Sequence, residues 1–278
     1  MTDVALSRSA LERRQLIQST AALSLRRRHA TGRAMRFVCM AAFALTVAAL
    51  GMLVGYTVYR GIGAVSWHFL TSLPTPPGIP GSGISNALVG TALIDGVALL
   101  IAIPVGLLVA LFLLQATGPV ATGLRFGADI LTGLPTILVG LVVFGLMVIN
   151  MHHFSAISAS VALSIIMLPI MIRASEEALR TVPNDLWEAG EALGAPQSRV
   201  VRSVVVRTAL PGLVTGNLLA LSRAVGETAP LLFTVSVFSM TMNTSLLQPM
   251  NSLPYVIYLD SQSAFADVKA QAWGTAFV

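Results

Sequence analysis

Cysteine is almost missing from this 278-residue sequence, since Cys39 stands alone inside an apolar run. A disulfide framework within the chain and a cysteine metal cluster are both excluded. Charge is scarce too: 10% of the residues are charged, against about 25% in a soluble domain. Lys269, in Val-Lys-Ala, is the only lysine. A phosphate-cradling loop needs a Gly-rich run ending in Lys-Ser or Lys-Thr, so the chain has no ATP-hydrolysing site of its own. Of the four histidines, His152 and His153 are adjacent in a short connection. Two neighbouring imidazoles are too few for a metal site, and no metal ligand set is expected. No His, Ser and acid cluster recurs on facing segments, so no catalytic residues are assigned. What the sequence does have is apolar length: 55% of it is hydrophobic and its mean hydropathy is +0.80. That composition belongs in a bilayer. No repeat of 20–50 residues is visible.

Five complete spans are predicted, at about 37–59, 85–115, 125–150, 155–172 and 210–240. The first is too long for a cleavable signal, because Phe37–Tyr59 reaches roughly 35 Å as a helix against a hydrocarbon core of ~30 Å. Pro104 predicts a kink or tilt in the second. Apolar character returns at about 269–278. It reads as the start of a sixth span that is cut off, which implies a longer gene product. Residues 1–36 form a basic tail and 37–278 a transmembrane domain, with a polar loop at about 174–210.

Arginine placement sets the orientation. The tail carries Arg8, Arg13, Arg14, Arg26, Arg27, Arg28, Arg33 and Arg36, Arg125 follows the second span, and Arg173, Arg180, Arg199, Arg202 and Arg207 follow the fourth. Threaded in order, these segments fall on one side. The positive-inside rule makes that side, and the amino terminus, cytoplasmic. The net charge of +5 is therefore a topology signal and a source of lipid headgroup contacts, not evidence for nucleic acid.

The polar loop reads EEALRTVPNDLWEAGEALGAPQSRVVRSVVVRTALP from Glu176 to Pro211. Pro183 suits a first helical turn. Leu186, Ala189 and Leu193 recur at helical spacing as an apolar stripe, and Asp185, Glu188 and Glu191 lie largely off it. Gly194 suits a left-handed helix end, and Pro196 stops continuation. About three turns of helix are too short to stand alone, so the element is expected to dock against something.

The residues Glu188-Ala189-Gly190, with Gly194 four positions further, resemble the EAA loop of ABC importer permeases. Gly190 replaces the pattern's second alanine, and the family's later proline is displaced to Leu210-Pro211. The resemblance implies a type I (MetI-like) all-α permease of about six transmembrane helices. It also implies a cytoplasmic coupling helix seated in an ATP-binding subunit, with Leu186, Glu188, Ala189, Gly190, Leu193 and Gly194 at the contact.

A second block, Leu221-Ser222-Arg223-Ala224-Val225-Gly226-Glu227-Thr228-Ala229-Pro230-Leu231-Leu232, is similar to the phosphate-importer branch of that family. Gly133–Gly140 and Ile84–Thr91 resemble the same branch at its third and second spans. The likeness covers about residues 35–278. It implies a bacterial plasma-membrane importer of inorganic phosphate. The expected partners are a homologous permease subunit (PstC-like), an ATPase dimer (PstB-like) that binds ATP and magnesium, and a phosphate-binding protein (PstS-like). This chain itself needs no cofactor.

Arg223 and Glu227 are read as buried charges well inside the fifth span. At i, i+4 they can meet on one face and offset part of the cost of membrane burial. Either they neutralise each other structurally, or Arg223 offers its paired donors to a passing phosphate while Glu227 holds it in place. Given the family resemblance, the pathway role is preferred. Asp95 is expected to pair, to be neutral or to face away. Asp129 could approach Arg125, and Gly133 and Gly140 read as close-packing positions. Two rivals stand beside the importer: an ion-coupled transporter or channel acting alone, and a sulfate or molybdate permease of the same family.

Overall fold

The structure is a computed structural model. It describes the backbone of residues 2–236 and 238–278; the side chains of residues 1–27, 30 and 237 lie outside the described residues. The tail arginines Arg8, Arg13, Arg14, Arg26 and Arg27 therefore fall outside it too. Residues 1–59 form one unit and 60–278 another.

The first unit lies in helix α1, Thr2–Gly61, so the tail and the first apolar segment are one helix. The second unit is helical, with no strand among its described residues. After the short α2 (Trp67–Thr71) come α3 (Ser85–Gln115), α4 (Pro119–Gly133), α5 (Thr136–Met151) and α6 (Ala156–Arg180). They are followed by α7 (Asn184–Ala192), α8 (Gln197–Val225), α9 (Leu231–Thr234), α10 (Leu253–Ser261) and α11 (Ala266–Phe277). Four segments are long and apolar enough to cross a membrane: Thr31–Gly61, α3, α6 and α8; counting α4 and α5 as one broken span makes five.

Helix α6 is the centre of the second unit. Its Ala156, Ala159, Leu163, Met167 and Met171 are buried together with Ile94, Ala98 and Ala102 of α3 and Ala220 and Ala224 of α8. Small residues make this approach possible, as at membrane helix interfaces generally. A Cβ on Gly216 of α8 would stand 2.5 Å from the Ala174 Cβ, and one on Gly106 of α3 would stand 3.0 Å from the Met171 Cβ. Ser160 Oγ donates to the Ile94 carbonyl at 2.9 Å and to Ala156 at 3.0 Å, so this hydroxyl is satisfied in the core.

The N-terminus of α6 is also buried and satisfied. Ser155 Oγ accepts from the Ser158 amide, while the Ala156 and Ile157 amides donate to the carbonyls of Gln248 and Leu246 at 3.0 and 2.9 Å. The same loop is tied to the start of α3. Asn86 Nδ2 donates to the Ser239 carbonyl at 2.7 Å, and Asn251 both donates to that carbonyl and accepts from the Ser239 amide.

Three boundaries differ from the hydropathy reading. The segment expected at 125–150 as one span is broken at Leu134-Pro135, and α4 and α5 are bent by 103°. Pro135 has no amide hydrogen and forces Leu134 to an extended conformation (φ −72°, ψ 136°). The helix expected over 155–172 continues to Arg180, because Glu176 finds cationic partners there. The helix expected at 210–240 lies at Gln197–Val225. It starts 13 residues earlier, with a wide π-type turn at Val201–Val205 and Pro211 inside it. It stops at Gly226 because Thr228-Ala229-Pro230 cannot continue a helix: Pro230 lacks a donor and biases Ala229 away from it. Asp95 is buried on α3, without an ion pair among the described residues.

Candidate functional site

The element between α6 and α8 is a nine-residue helix, α7. Pro183 stands one place before it as the N-cap, not within its first turn. At its other end Gly194 is left-handed, with φ +71°. Its amide donates to the Glu191 carbonyl at 2.9 Å and the Ala195 amide to the Gly190 carbonyl at 3.3 Å, which together close a Schellman motif. A residue with a Cβ is strained at that φ, so glycine is required there.

The helix has two faces. Trp187 and Ala195 pack onto a cluster of Ala110, Leu179, Val182, Val200, Val205 and Ala209. Gly190 lies against Val200, whose Cγ2 would stand 2.8 Å from an added Cβ. This close contact is a steric reason for glycine where the EAA pattern has alanine. The other face is open. Leu193 is 88% exposed and Leu186 37%, with Glu188 and Ala189 also exposed. The apolar stripe is thus open at Ala189 and Leu193 and partly covered at Leu186, and the home face belongs to Trp187, which the pattern of leucines and alanines did not single out. An indole flanking such a stripe was the available signal.

The base of α7 is braced by charge. Glu176 Oε1 accepts from Arg125 Nε and Nη2 at 3.0 and 2.9 Å and from Arg180 Nη2 at 2.6 Å. Arg125 Nη2 also donates to the Leu113 carbonyl at 2.8 Å, which joins the middle of α4 to the C-terminal ends of α3 and α6. Asp129 pairs with Arg173 and not with Arg125.

Arg223 and Glu227 lie at the other end of α8. Arg223 is in its last turn, and Glu227 is just beyond the C-cap Gly226, so neither is in mid-helix. Their Nε–Oε1 separation is 3.7 Å, an ion pair without a hydrogen bond, with side chains 50% and 17% exposed. Arg223 lines a small recess with Thr132, Leu134, Thr136 and Pro169, at the break between α4 and α5. Just after it, the Pro230 backbone packs on Gly140 of α5, where an added Cβ would stand 2.6 Å from the Pro230 Cα. The blocks 133–140 and 221–232 are therefore brought together, although Gly133 itself has nothing within 4 Å of an added Cβ. Among the described residues no group of three His, Cys, Asp or Glu side chains could hold a metal.

A small-residue helical core around α6, a broken span and a short outward-striped helix between two spans define a type I ABC importer permease fold. Its match to solved structures agrees. Inward-facing forms of the MetNI methionine ABC transporter superpose with a TM-score of 0.52 at 20% identity, covering 70% of this chain and 87% of the MetNI chain. The sequence match is more specific. Residues 102–266 match the family of binding-protein-dependent transport system inner membrane components, and the chain belongs to that family. The phosphate transport system permease protein PstA of Yersinia pestis is 37% identical over 219 residues, 78% of this chain and 74% of the relative. PstA 1 of Mycobacterium tuberculosis (strain CDC 1551 / Oshkosh) is 35% identical over 260 residues, 91% of this chain and 85% of the relative.

Proposed function

We propose that this chain is the PstA-like permease subunit of an ATP-driven importer of inorganic phosphate in the bacterial plasma membrane. It pairs with a homologous PstC-like subunit to enclose the pathway. Each permease seats its coupling helix on one subunit of a PstB-like ATPase dimer, which binds the ATP and magnesium, and a PstS-like protein delivers phosphate from outside. The amino terminus and α7 are cytoplasmic. The observation that carries this reading is the two-faced α7: one side anchored to its own chain, the other leaving Ala189 and Leu193 open, with Leu186 partly covered at the edge. Closure of the ATPase dimer moves the coupling helices, and α8 relays that movement toward Arg223. Arg223 offers a guanidinium to phosphate, and Glu227, too distant for a tight bond, restrains it without sequestering it.

The test is ATP-dependent uptake of labelled phosphate by proteoliposomes holding the four components. Uptake should require this chain, ATP and the binding protein, and excess sulfate should compete poorly. Uptake that proceeds without the ATPase subunit favours a transporter acting alone and overturns the proposal. Sulfate transported in preference to phosphate overturns the choice of substrate.

A further inference from the structure

The end of α3 away from α7 borders a cavity of about 300 Å³, enclosed by the 74–87 segment, the 238–251 loop and the α10–α11 hairpin. Much of its wall is apolar, with Phe238, Met240, Val256 and Leu259, and Asp260 is its single ionisable residue. Asn86 and Asn251 line it as well, but their side chains are already engaged with the Ser239 backbone. Asp260 has no ion pair among the described residues. The other acid of the hairpin, Asp267, is committed: it accepts the Gly78 amide at 3.0 Å.

We propose that this cleft receives a lysine or arginine side chain presented by the soluble binding protein on which transport in this family depends. The inference rests on the importer reading and deepens it by naming the contact. Three observations carry it. First, the chemistry is complementary. Apolar walls accept the alkyl stem of a long basic side chain, and an unpaired carboxylate accepts its head. Burial has already desolvated that carboxylate in part, raising its pKa to about 6, so a cation there finds a partner with little water left to displace. Second, the position is right. Helix α3 starts at the cavity, where Ile84, Asn86 and Ala87 line the wall, and its Gln115 end shares a groove with Trp187 of α7. Its 31 residues rise roughly 46 Å, more than the ~30 Å hydrocarbon core, so cleft and coupling helix lie on opposite sides of the membrane. Third, the cleft is built from segments that tie into one another. Asn86 holds the 238–251 loop to α3, Asn251 closes that loop on its own Ser239, and Asp267 of α11 holds Gly78, so a docked side chain meets a preformed wall.

The experiment measures the affinity of the phosphate-loaded binding protein for the complete transporter in nanodiscs. It compares the parent with Asp260→Asn and Asp260→Arg. Asp260→Asn keeps size and removes charge, and should weaken binding about tenfold. Asp260→Arg should weaken it by roughly a hundredfold, since it sets like charges together. Basal ATPase activity without binding protein should stay at the parent level in both, which reports an intact complex. A photo-crosslinker at Met240 should capture the binding protein. Both variants binding within about twofold of the parent would overturn the proposal. So would a crosslink that joins Met240 to the partner permease or to a second copy of this chain. If the parent complex binds no soluble protein at all, the importer reading falls with it. Loss of affinity on Asp260 substitution together with normal coupling separates this contact from the α7 mechanism.

Discussion

Two regions along α8 treat charge in opposite ways. Beside its middle, where Gly212 and Gly216 meet Ala178 and Ala174 of α6, the carboxylate of Glu176 is nearly buried and takes three hydrogen bonds from two arginines, the shortest 2.6 Å. At its finish, Arg223 and Glu227 are 3.7 Å apart and the guanidinium is half open. A group that is saturated by its own chain is a fastener. A group that keeps unused donors beside a helix break is free to meet something else. One set of charges is spent on structure and the other keeps capacity for the contact proposed above, although the sequence presents both as arginine and glutamate four residues apart.

The comparison can be broken in several ways. The largest effect is expected from removing the open stripe of α7. Leu186→Asp with Leu193→Asp should cut phosphate-stimulated ATPase activity by on the order of a hundredfold, as loss of a central apolar contact does. The complex should still insert and fold, because neither side chain contributes to the buried cluster. Normal stimulation in that variant removes the docking role of α7.

Glu176→Ala should come next. It leaves Arg125 and Arg180 facing each other and should lower stability by about 2 kcal/mol in detergent unfolding. That is less than a fully buried pair would lose, because both guanidinia reach solvent. A loss in uptake with no change in unfolding would place Glu176 with the functional charges instead. Arg223→Gln should do the reverse. Unfolding should shift by no more than ~0.5 kcal/mol, while uptake falls roughly tenfold, the worth of one charge-assisted contact. Unchanged uptake would make the pair a second fastener.

Gly194→Ala should cost about 1 kcal/mol at the end of α7, read as faster amide exchange over 190–195, because alanine tolerates φ +71° poorly. The smallest expected effect is one of pH. Burial raises the Asp260 carboxyl from 3.8 to about 6, so the folded chain holds that proton more tightly than the unfolded one. The stability it contributes is complete below about 4 and fades as pH rises through about 6. Asp260→Asn should flatten stability across that window. A parent whose stability climbs through the same window would contradict the sign.

Much of this was legible in the residues. The apolar run 85–115 lacks charge except Asp95, and a helix covers it. The stripe of Leu186, Ala189 and Leu193, followed by glycine, marked a short helix with an open face. What escaped were the places where tertiary partners override hydropathy. An averaging window sees 125–150 as continuous apolar length, yet one proline splits it. The same window ends a span at Arg173, yet Arg125 and Arg180 neutralise Glu176 and let α6 run on to Arg180. Apolar residues after Pro230 extended the expected fifth span to 240. There the chain instead turns back to lie on Gly140 and to cap the start of α6. Pro135 and Pro230 were the signals available, and both act on the backbone, which a hydropathy scale does not weigh.

The contact of Gly190 with Val200 has a mechanical consequence. Val200 is in the first turn of α8, so the short helix is clamped to the foot of the long one at nearly zero clearance. Such a joint transmits a push without slack. Twenty-three residues separate Val200 from Arg223, roughly 35 Å of helix. If α7 is pushed, α8 carries the thrust toward the guanidinium as one long helix, and it can yield at two places, the wide turn at Val201–Val205 directly above the clamp and Pro211 further on.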